Sequence, residues 1–377
     1  MLFQTPRLTD DEYQVVQRIE DVLHSLRYAI TTAKRWTGLL RRDTFARAIR
    51  GSNTIEGFNV TIDDAVAAVE FDEPVEADET SWAALTGYRD AMTYILRLQG
   101  DPHFEYGETL LRSLHFMMLK YDLSKHPGQW RPGPIKLIDE RRNRIVYAGP
   151  DADMVPGLMR ELVAELANPD TDIPVMVRAA MAHLNLVMIH PFADGNGRMA
   201  RALQTLVLAQ EGILNPIFSS IEEYLGRNQD DYYRILAAVG AGSWSPGRDA
   251  RPWVRFCLTA HYRCSHGFLR RSKEVALVWD EVEDLVRGHG LPERVEPAVL
   301  MAVFGRRIRN SIYRKTADVS EQTASRDLKR LIDCGLLIPR GERRGRIYVG
   351  SEELLAIGRG ASQPQVMDDP FEPTGKS

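Results

Sequence analysis

"VMVRAAMAHLNLVMIHPFADGNGRMARALQTLVLAQ", residues 175–210, is the stretch that decides how the chain folds. Both ends are apolar with the spacing of buried helices. Between them, His190 to Arg201 packs a histidine, a carboxylate, two glycines, an asparagine and two arginines. Pro191 disfavours helical geometry at His190, so the first helix is expected to end there. A loop pinned between two core helices is held still, which suits a reactive site.

Each residue type in the loop has a chemical use. An imidazole at the mouth of the loop, with a pKa near neutrality, suits a general base, here His190. Phe192 is the apolar residue of a polar loop and is expected to anchor it in the core. Asp194 beside a flexible turn suits Mg²⁺. Gly195, Asn196 and Gly197 let backbone N–H groups face one concavity, an anion nest, and a helix starting near Arg198 adds its N-terminal dipole. Arg198 and Arg201, three apart, share a face of that helix. Together these parts describe a di- or triphosphate site.

Outward from the loop, helical periodicity dominates. "DEYQVVQRIEDVLHSLRYAITTAKRW" and "RRDTFARAIRGSNTIEG" read as N-terminal helices, the second stopping at Gly57. Thr61 is a plausible cap for the next. "PIKLIDERRNRIVYAG" has two β-prone runs about a polar turn, a hairpin signal in a helical protein. "GSWSPGRDARPW" reads as the end of the main body. The expected fold is mainly α with a β-hairpin and a C-terminal winged helix. The divisions are an N-terminal helical region at 1–90, a core at 91–245, a helical connection at 246–295, the winged helix at 296–350 and a disordered tail at 351–377.

Composition bounds the function. The 377 residues carry a net charge of −4, so the whole chain is not built to coat nucleic acid and any basic surface is local. The cysteines (Cys257, Cys264, Cys334) are too few and too uneven for a disulfide framework or a zinc site. The N-terminus lacks the layout of a signal peptide and no apolar run reaches membrane length, so a cytoplasmic protein is expected.

The loop resembles the signature of the Fic family, His-x-Phe-x-Asp/Glu-Gly-Asn-Gly-Arg-x-x-Arg, and matches every defined position. The resemblance implies a helical fold in which the motif joins two core helices, and transfer of AMP from ATP to a Tyr, Thr or Ser hydroxyl of a target protein. His190 would then deprotonate the hydroxyl, and Asp194 would hold Mg²⁺. Asn196 and the N–H groups of Gly195 and Gly197 would orient the phosphates, and Arg198 and Arg201 would bind them. The hairpin at 134–148 looks like the family's flap, which pairs with the target backbone as an added strand. "EEYLGRNQDDYYRIL" is similar to the family's adenosine-side helix, and Tyr224, Asn228 and Tyr232 at i, i+4 and i+8 would share one face. Core packing fits these tyrosines nearly as well.

"SNTIEG", 52–57, places Glu56 at a helix end where the dipole disfavours a carboxylate unless a cation meets it. From spacing alone a solvated glutamate fits better. The resemblance points elsewhere, because one Fic class carries Ser/Thr-x-x-x-Glu-Gly/Asn on an N-terminal helix. There the glutamate pairs with the motif's second arginine, here Arg201, and blocks productive ATP binding. Ser52 and Glu56 would be that brake, and in some relatives the same glutamate supports removal of AMP.

From Phe304 to Arg346 there are twelve Lys/Arg against five Asp/Glu, about +7 in an otherwise acidic chain. The segment looks like a winged helix-turn-helix. Thr323, Ser325 and Arg326 would enter a DNA groove and Arg343 and Arg344 would touch phosphate. Docking on protein is an equal reading. The function expected is thus a self-inhibited protein adenylyltransferase using ATP and Mg²⁺. The alternative is a DNA-binding regulator whose Fic fold senses nucleotide. The homodimers that recur in the family leave self-association open.

Overall fold

Helices α7 (Val175–Ile189) and α8 (Asn196–Gln210) pack on each other at the centre, and nearly every side chain of both is buried. The computed structural model describes residues 1–31, 36–139, 144–213, 220–342, 346–362 and 368–372. Around the central pair lie α1 (Asp10–Thr31), α2 (Thr37–Ile55), α3 (Ile62–Val69), α4 (Glu79–Leu98), α5 (Glu108–Leu119) and α6 (Val155–Ala167). After α8 come α9 (Glu222–Arg227), α10 (Gln229–Gly240) and α11 (Arg251–Gly288).

Local chemistry sets several boundaries. Thr61 caps α3 as its sequence predicts: its hydroxyl accepts the Asp64 N–H at 3.1 Å while Asp64 accepts the Thr61 N–H at 2.9 Å, a reciprocal box. Asp64 also accepts the Val75, Glu76 and Ala77 amides, which ties down the acidic connection after α3. Phe3 and Asn185 exchange two hydrogen bonds, so the N-terminus is tied to α7.

The hairpin is present as β1 (Lys136–Asp139) and β2 (Arg144–Ala148), antiparallel, with a bulge between Leu137 and Ile138. Its turn, 140–143, lies outside the described residues. A third strand, β3 (Gly242–Ser243), pairs parallel with β2, so β1 is an edge. The Tyr147 hydroxyl donates to the Met188 carbonyl at 2.7 Å, which fixes β2 to the end of α7.

Two divisions read from sequence need correction. The 246–295 connection is helical as expected, but it belongs to the main body, which does not end at 245. It is mostly the 38-residue α11, whose Trp253 indole donates to Ala180 of α7 at 2.7 Å, and α1 packs along it. The stretch "GSWSPGRDA" misled because its Gly-Ser pair forms β3. The tail from 351 is not all disordered: Ser351 caps a further helix, α15 (Glu352–Ala361), and Phe371 sits under Arg255 with the guanidinium 4.1 Å from the ring centre. Polar composition outweighed two local signals there, a serine cap and a Leu-Leu-x-Ile stripe.

Between α11 and α15 the chain forms α12 (Glu296–Val303), α13 (Asn310–Ala317), α14 (Glu321–Asp333) and an antiparallel pair, β4 (Leu337–Arg340) with β5 (Ile347–Gly350). No helix among the described residues is long and apolar enough to cross a membrane.

Candidate active site

The loop between α7 and α8 is built around strained backbone. His190 ends α7 in the left-handed region, φ 52°, although it precedes proline and has a side chain. Three partners hold it there. Its N–H donates to Leu186 at 3.0 Å, its ring Nδ1 lies 3.0 Å from the Val187 carbonyl, and its own carbonyl accepts Arg131 Nε at 2.8 Å. With Nδ1 donating to Val187, Nε2 is left with its lone pair, the form a base requires. Burial pushes the imidazole down to about 4, not the near-neutral value expected from sequence, and Arg131 adds to this while the Val187 contact opposes it.

Phe192 anchors the loop as expected. It is fully buried and stacks on His115, ring centres 3.6 Å apart. Asn196 works differently from the expectation. Its amide oxygen accepts the Phe192 N–H and its amide nitrogen donates to the Phe192 carbonyl, both at 2.9 Å, so the side chain braces the loop. Gly195 starts α8 at φ 75°, and a Cβ there would stand 2.6 Å from Leu119.

The arginines are buried, and among the described residues Nε and Nη1 of Arg198 and Nη1 of Arg201 have no hydrogen-bond partner. Unsatisfied buried guanidinium donors at a helix N-terminus are what an incoming phosphate would satisfy. Arg201 also donates Nε to the Ser52 hydroxyl at 2.8 Å, and Nη2 to the Ser52 carbonyl at 3.0 Å and Glu56 at 2.6 Å. The carboxylate contact is single, not bidentate. Burial opposes the Arg201 charge, but Glu56 beside it keeps the group protonated beyond its ordinary range. The Glu56 carboxylate lies so close over Gly197 that a Cβ there would overlap it. An acid of the chain itself thus occupies the mouth of the nest.

Asp194 is 41% exposed, with Oδ1 accepting the Gly195 N–H at 2.7 Å and Oδ2 3.5 Å from Lys125 Nζ. Among the described residues no cluster of three or more His, Cys, Asp or Glu could cage a metal. One accessible carboxylate fits Mg²⁺, which is commonly held by one or two carboxylates with phosphate and water completing its shell.

The adenosine-side residues do not share a helix face. The helix breaks at Asn228, φ −122° and ψ 43°, between α9 and α10. Asn228 turns its amide to the Tyr224 carbonyl at 2.8 Å. Tyr232 is fully buried, its hydroxyl 3.1 Å from His183, and belongs to the core. Tyr224 is partly buried, with Arg263 bonded to its hydroxyl at 3.3 Å. Of the DNA-directed residues, Ser325 accepts Asn310 at 3.0 Å, Thr323 contacts Ser320 at 3.0 Å, and Arg326 is exposed. Arg343 and Arg344 lie outside the described residues.

Three supporting residues escaped the sequence reading. His115 accepts the Gly128 N–H on Nδ1 at 2.8 Å, so its Nε2 donates to the Asp194 carbonyl at 2.9 Å. Arg131 holds His190 and also donates to Gly133 and Pro150 at 2.5 Å each, tying the hairpin's base to the loop. Glu222 is buried near Arg201, accepts the Tyr88 hydroxyl at 3.0 Å, and is pushed up to about 7 by burial. Only Arg131 had a signal, an arginine directly ahead of the hairpin and next to a tryptophan.

Residues 106–208 match the Fic/DOC family. The chain is 33% identical over 120 residues to protein adenylyltransferase fic-1 of Caenorhabditis briggsae, covering 30% of this chain and 21% of that one. To the protein adenylyltransferase Fic of Nematostella vectensis it is 24% identical over 252 residues, covering 66% and 54%. The chain therefore spans between about a fifth and about half of these relatives. A Fic family protein from Desulfovibrio desulfuricans G20 superposes with a TM-score of 0.60 at 22% identity, covering 92% of this chain and 98% of that one. Fic-1 from C. elegans gives 0.54 at 21% identity over 70% and 73%. At such identities the solved structures speak for the fold, which is mainly helical and of the Fic kind, and the match to the Fic/DOC family covers residues 106–208.

Proposed function

We propose that the chain transfers AMP from ATP to a Tyr, Thr or Ser hydroxyl of a target protein, and that Glu56 restrains the reaction. The observation that carries this is the pairing of a neutral His190 with unsatisfied donors of Arg198 and Arg201 across one loop. The naming of relatives as protein adenylyltransferases supports the same chemistry.

In the reaction, the target hydroxyl oxygen forms a bond to the α-phosphorus. The bond from that phosphorus to the bridging oxygen breaks, and pyrophosphate leaves. His190 Nε2 takes the hydroxyl proton. Arg198, Arg201 and the α8 N–H groups bind the phosphates, and positioning with charge neutralisation does most of the work. Mg²⁺ on Asp194 would neutralise phosphate charge. The target would lie along the β1 edge, where Leu137 and Ile138 are exposed beside unpaired backbone. Glu56 on Arg201 takes the donor a terminal phosphate needs, so ATP binds unproductively until the pair opens.

The test is label transfer from α-³²P ATP with Mg²⁺. Wild type, Glu56→Gly and Glu56→Gly with His190→Ala are compared, counting label on the chain and on added protein. Label at least tenfold higher in Glu56→Gly than in wild type, and lost in the double variant, is expected. Equal label in wild type and Glu56→Gly sinks the brake, and label persisting without His190 sinks the base. Running Glu56→Gly further with unlabelled ATP reads whether label is also removed.

A second reading, DNA binding through a winged helix formed by α13, α14, β4 and β5, rests on the outer face of α14. Gln322, Ser325, Arg326, Lys329 and Arg330 are exposed there. Binding to duplex DNA that weakens steeply between 50 and 200 mM salt, and is lost in Arg326→Ala with Lys329→Ala, would support it.

A further inference from the structure

Away from the loop, a cavity of about 280 Å³ opens between α2, α11, α12 and α13. That is near the lower edge of the roughly 300–1,000 Å³ usual for small-molecule sites, which favour boundaries between structural units. Its walls include Leu39 and Leu40 of α2, Val275 of α11, Leu300 and Met301 of α12, and Ile312 of α13.

Its charged side is unbalanced. Asp43 is shared by Arg47, at 2.6 Å, and Arg306. Glu223, just behind the wall, is shared by Arg47 at 3.4 Å and Arg271 at 3.0 Å. The three guanidiniums are only 25%, 12% and 19% exposed, in the order Arg47, Arg306, Arg271. Three largely buried cations therefore face two carboxylates. Burial alone would raise both acids, yet the arginines hold Asp43 and Glu223 below their ordinary range, so both are fully ionised and still outnumbered. The other charges of the lining do not restore the balance: Arg42 is matched by Glu70 at 2.8 Å and Arg270 by Glu274 at 3.6 Å, while Arg227 adds to the load on Glu223. Among the described residues, Arg271 Nε is buried without a hydrogen-bond partner. Buried positive charge without a matching anion is unfavourable, and an anion entering from solvent relieves it.

We infer that this cavity binds a small organic monocarboxylate with a compact apolar body. The apolar walls take the body, and the carboxylate meets Arg271 and Arg306. The inference stands apart from the chemistry of the His190 loop, because no residue is shared between them. Helix α2 forms one wall and ends beside Glu56, so an occupant would press on the element that carries it.

The experiment is isothermal titration of the full chain with indole-3-acetate, tryptamine and acetate, which separate charge from body. Indole-3-acetate should bind at one site, at least tenfold tighter than tryptamine, the same ring with a cation, and than acetate, the charge without the ring. Arg271→Gln should weaken it at least tenfold, and Met301→Trp, which fills the cavity from its partly exposed wall, should abolish it. Circular dichroism melts confirm that the variants fold, and Met301→Trp alone decides if Arg271→Gln does not. Absence of binding, equal binding of the three probes, or binding unchanged in Met301→Trp overturns the inference.

Discussion

His190, His115 and His183 are each pushed down by burial, to about 4, 4 and 3, from an ordinary 6.5. Between about pH 6.5 and 4 the unfolded chain therefore binds protons that the folded chain refuses, so stability falls as pH falls through that window. Glu222, raised to about 7, acts oppositely, since its folded carboxyl keeps a proton the unfolded one loses, and that contribution fades as pH rises toward 7. Among the large shifts, three groups against one predict a melting temperature that drops on acidification from pH 6.5 to 4.5. The smaller upward shifts of Glu20, Asp63, Glu70 and Glu165 soften the lower end. A flat or rising profile across that window would contradict the burial of the three rings. The same depression predicts that kcat/KM of Glu56→Gly holds its plateau well below pH 6.5. An acid limb centred near 6.5 would mean that His190 is solvated. The two loop glycines differ in kind. Gly195→Ala forces a side chain into left-handed backbone and onto Leu119, a loss of about 1–2 kcal/mol from the backbone alone. Gly197 has ordinary backbone, and its Cβ would meet the far end of the Glu56 side chain, which can swing aside. Urea melts should show the larger loss for Gly195→Ala. The loop was legible from sequence because its chemistry is contiguous, whereas the roles of His115 and Arg131 were not, since they depend on carbonyls brought near from 79 and 59 residues away.

Helix α2 reaches Arg201 because two glycines let it lie against α9. A Cβ on Gly51 would overlap the Glu222 carbonyl, and one on Gly226 would stand 2.8 Å from the Gly51 Cα. Gly51→Ala should therefore lift α2, at about 1–3 kcal/mol for overpacking, and draw Ser52 and Glu56 off Arg201. Label transfer should rise with the loss of stability. Thr61→Ala is the control: it removes the α3 cap, worth about 1 kcal/mol, without touching Arg201, so equal transfer in both variants would tie the rise to instability and not to α2. Sequence pattern showed α7 and α8 because both are apolar runs buried on nearly every side, and the hairpin because two β-prone runs flank a polar turn, even though Leu137, Ile138 and Ile145 stay exposed. It failed at Asn228, where one polar residue splits a continuous helical pattern into α9 and α10 and turns Tyr232 into the core. The meeting of Glu56 with Arg201, 145 residues apart, has no periodic signature, and only the likeness to a known motif suggested it.

Seen whole, the C-terminal unit is fastened to the N-terminal helices by a basic strip, 306–315, laid on the acidic connection after α3. The basic excess of 304–346 is thus partly spent inside the molecule, which composition could not reveal. Two kinds of contact hold the strip. Arg307 pairs with Asp63 at 3.3 Å and with Glu76, and both Arg307 and Glu76 are more than a third exposed. Such pairs contribute about 0–1 kcal/mol and are screened by salt. Arg309 lies 3.9 Å from Asp72 and donates mainly to the carbonyls of Glu73 and Pro74 at 2.7 and 2.8 Å, and Lys315 donates to those of Glu70 and Phe71 at 2.6 and 2.9 Å. Charge-assisted bonds to backbone carbonyls contribute up to about 1.5–3 kcal/mol where water is excluded, as at the mostly buried Arg309, and less at the exposed Lys315. The carbonyl contacts should therefore dominate. Arg309→Ala is expected to speed amide exchange across α13 and α14 well beyond Arg307→Ala. Raising salt from 0.1 to 0.5 M should reproduce the small effect of Arg307→Ala and not the large one. If salt alone frees these helices as fully as Arg309→Ala does, the exposed ion pairs are the fastening and the carbonyls merely accompany them.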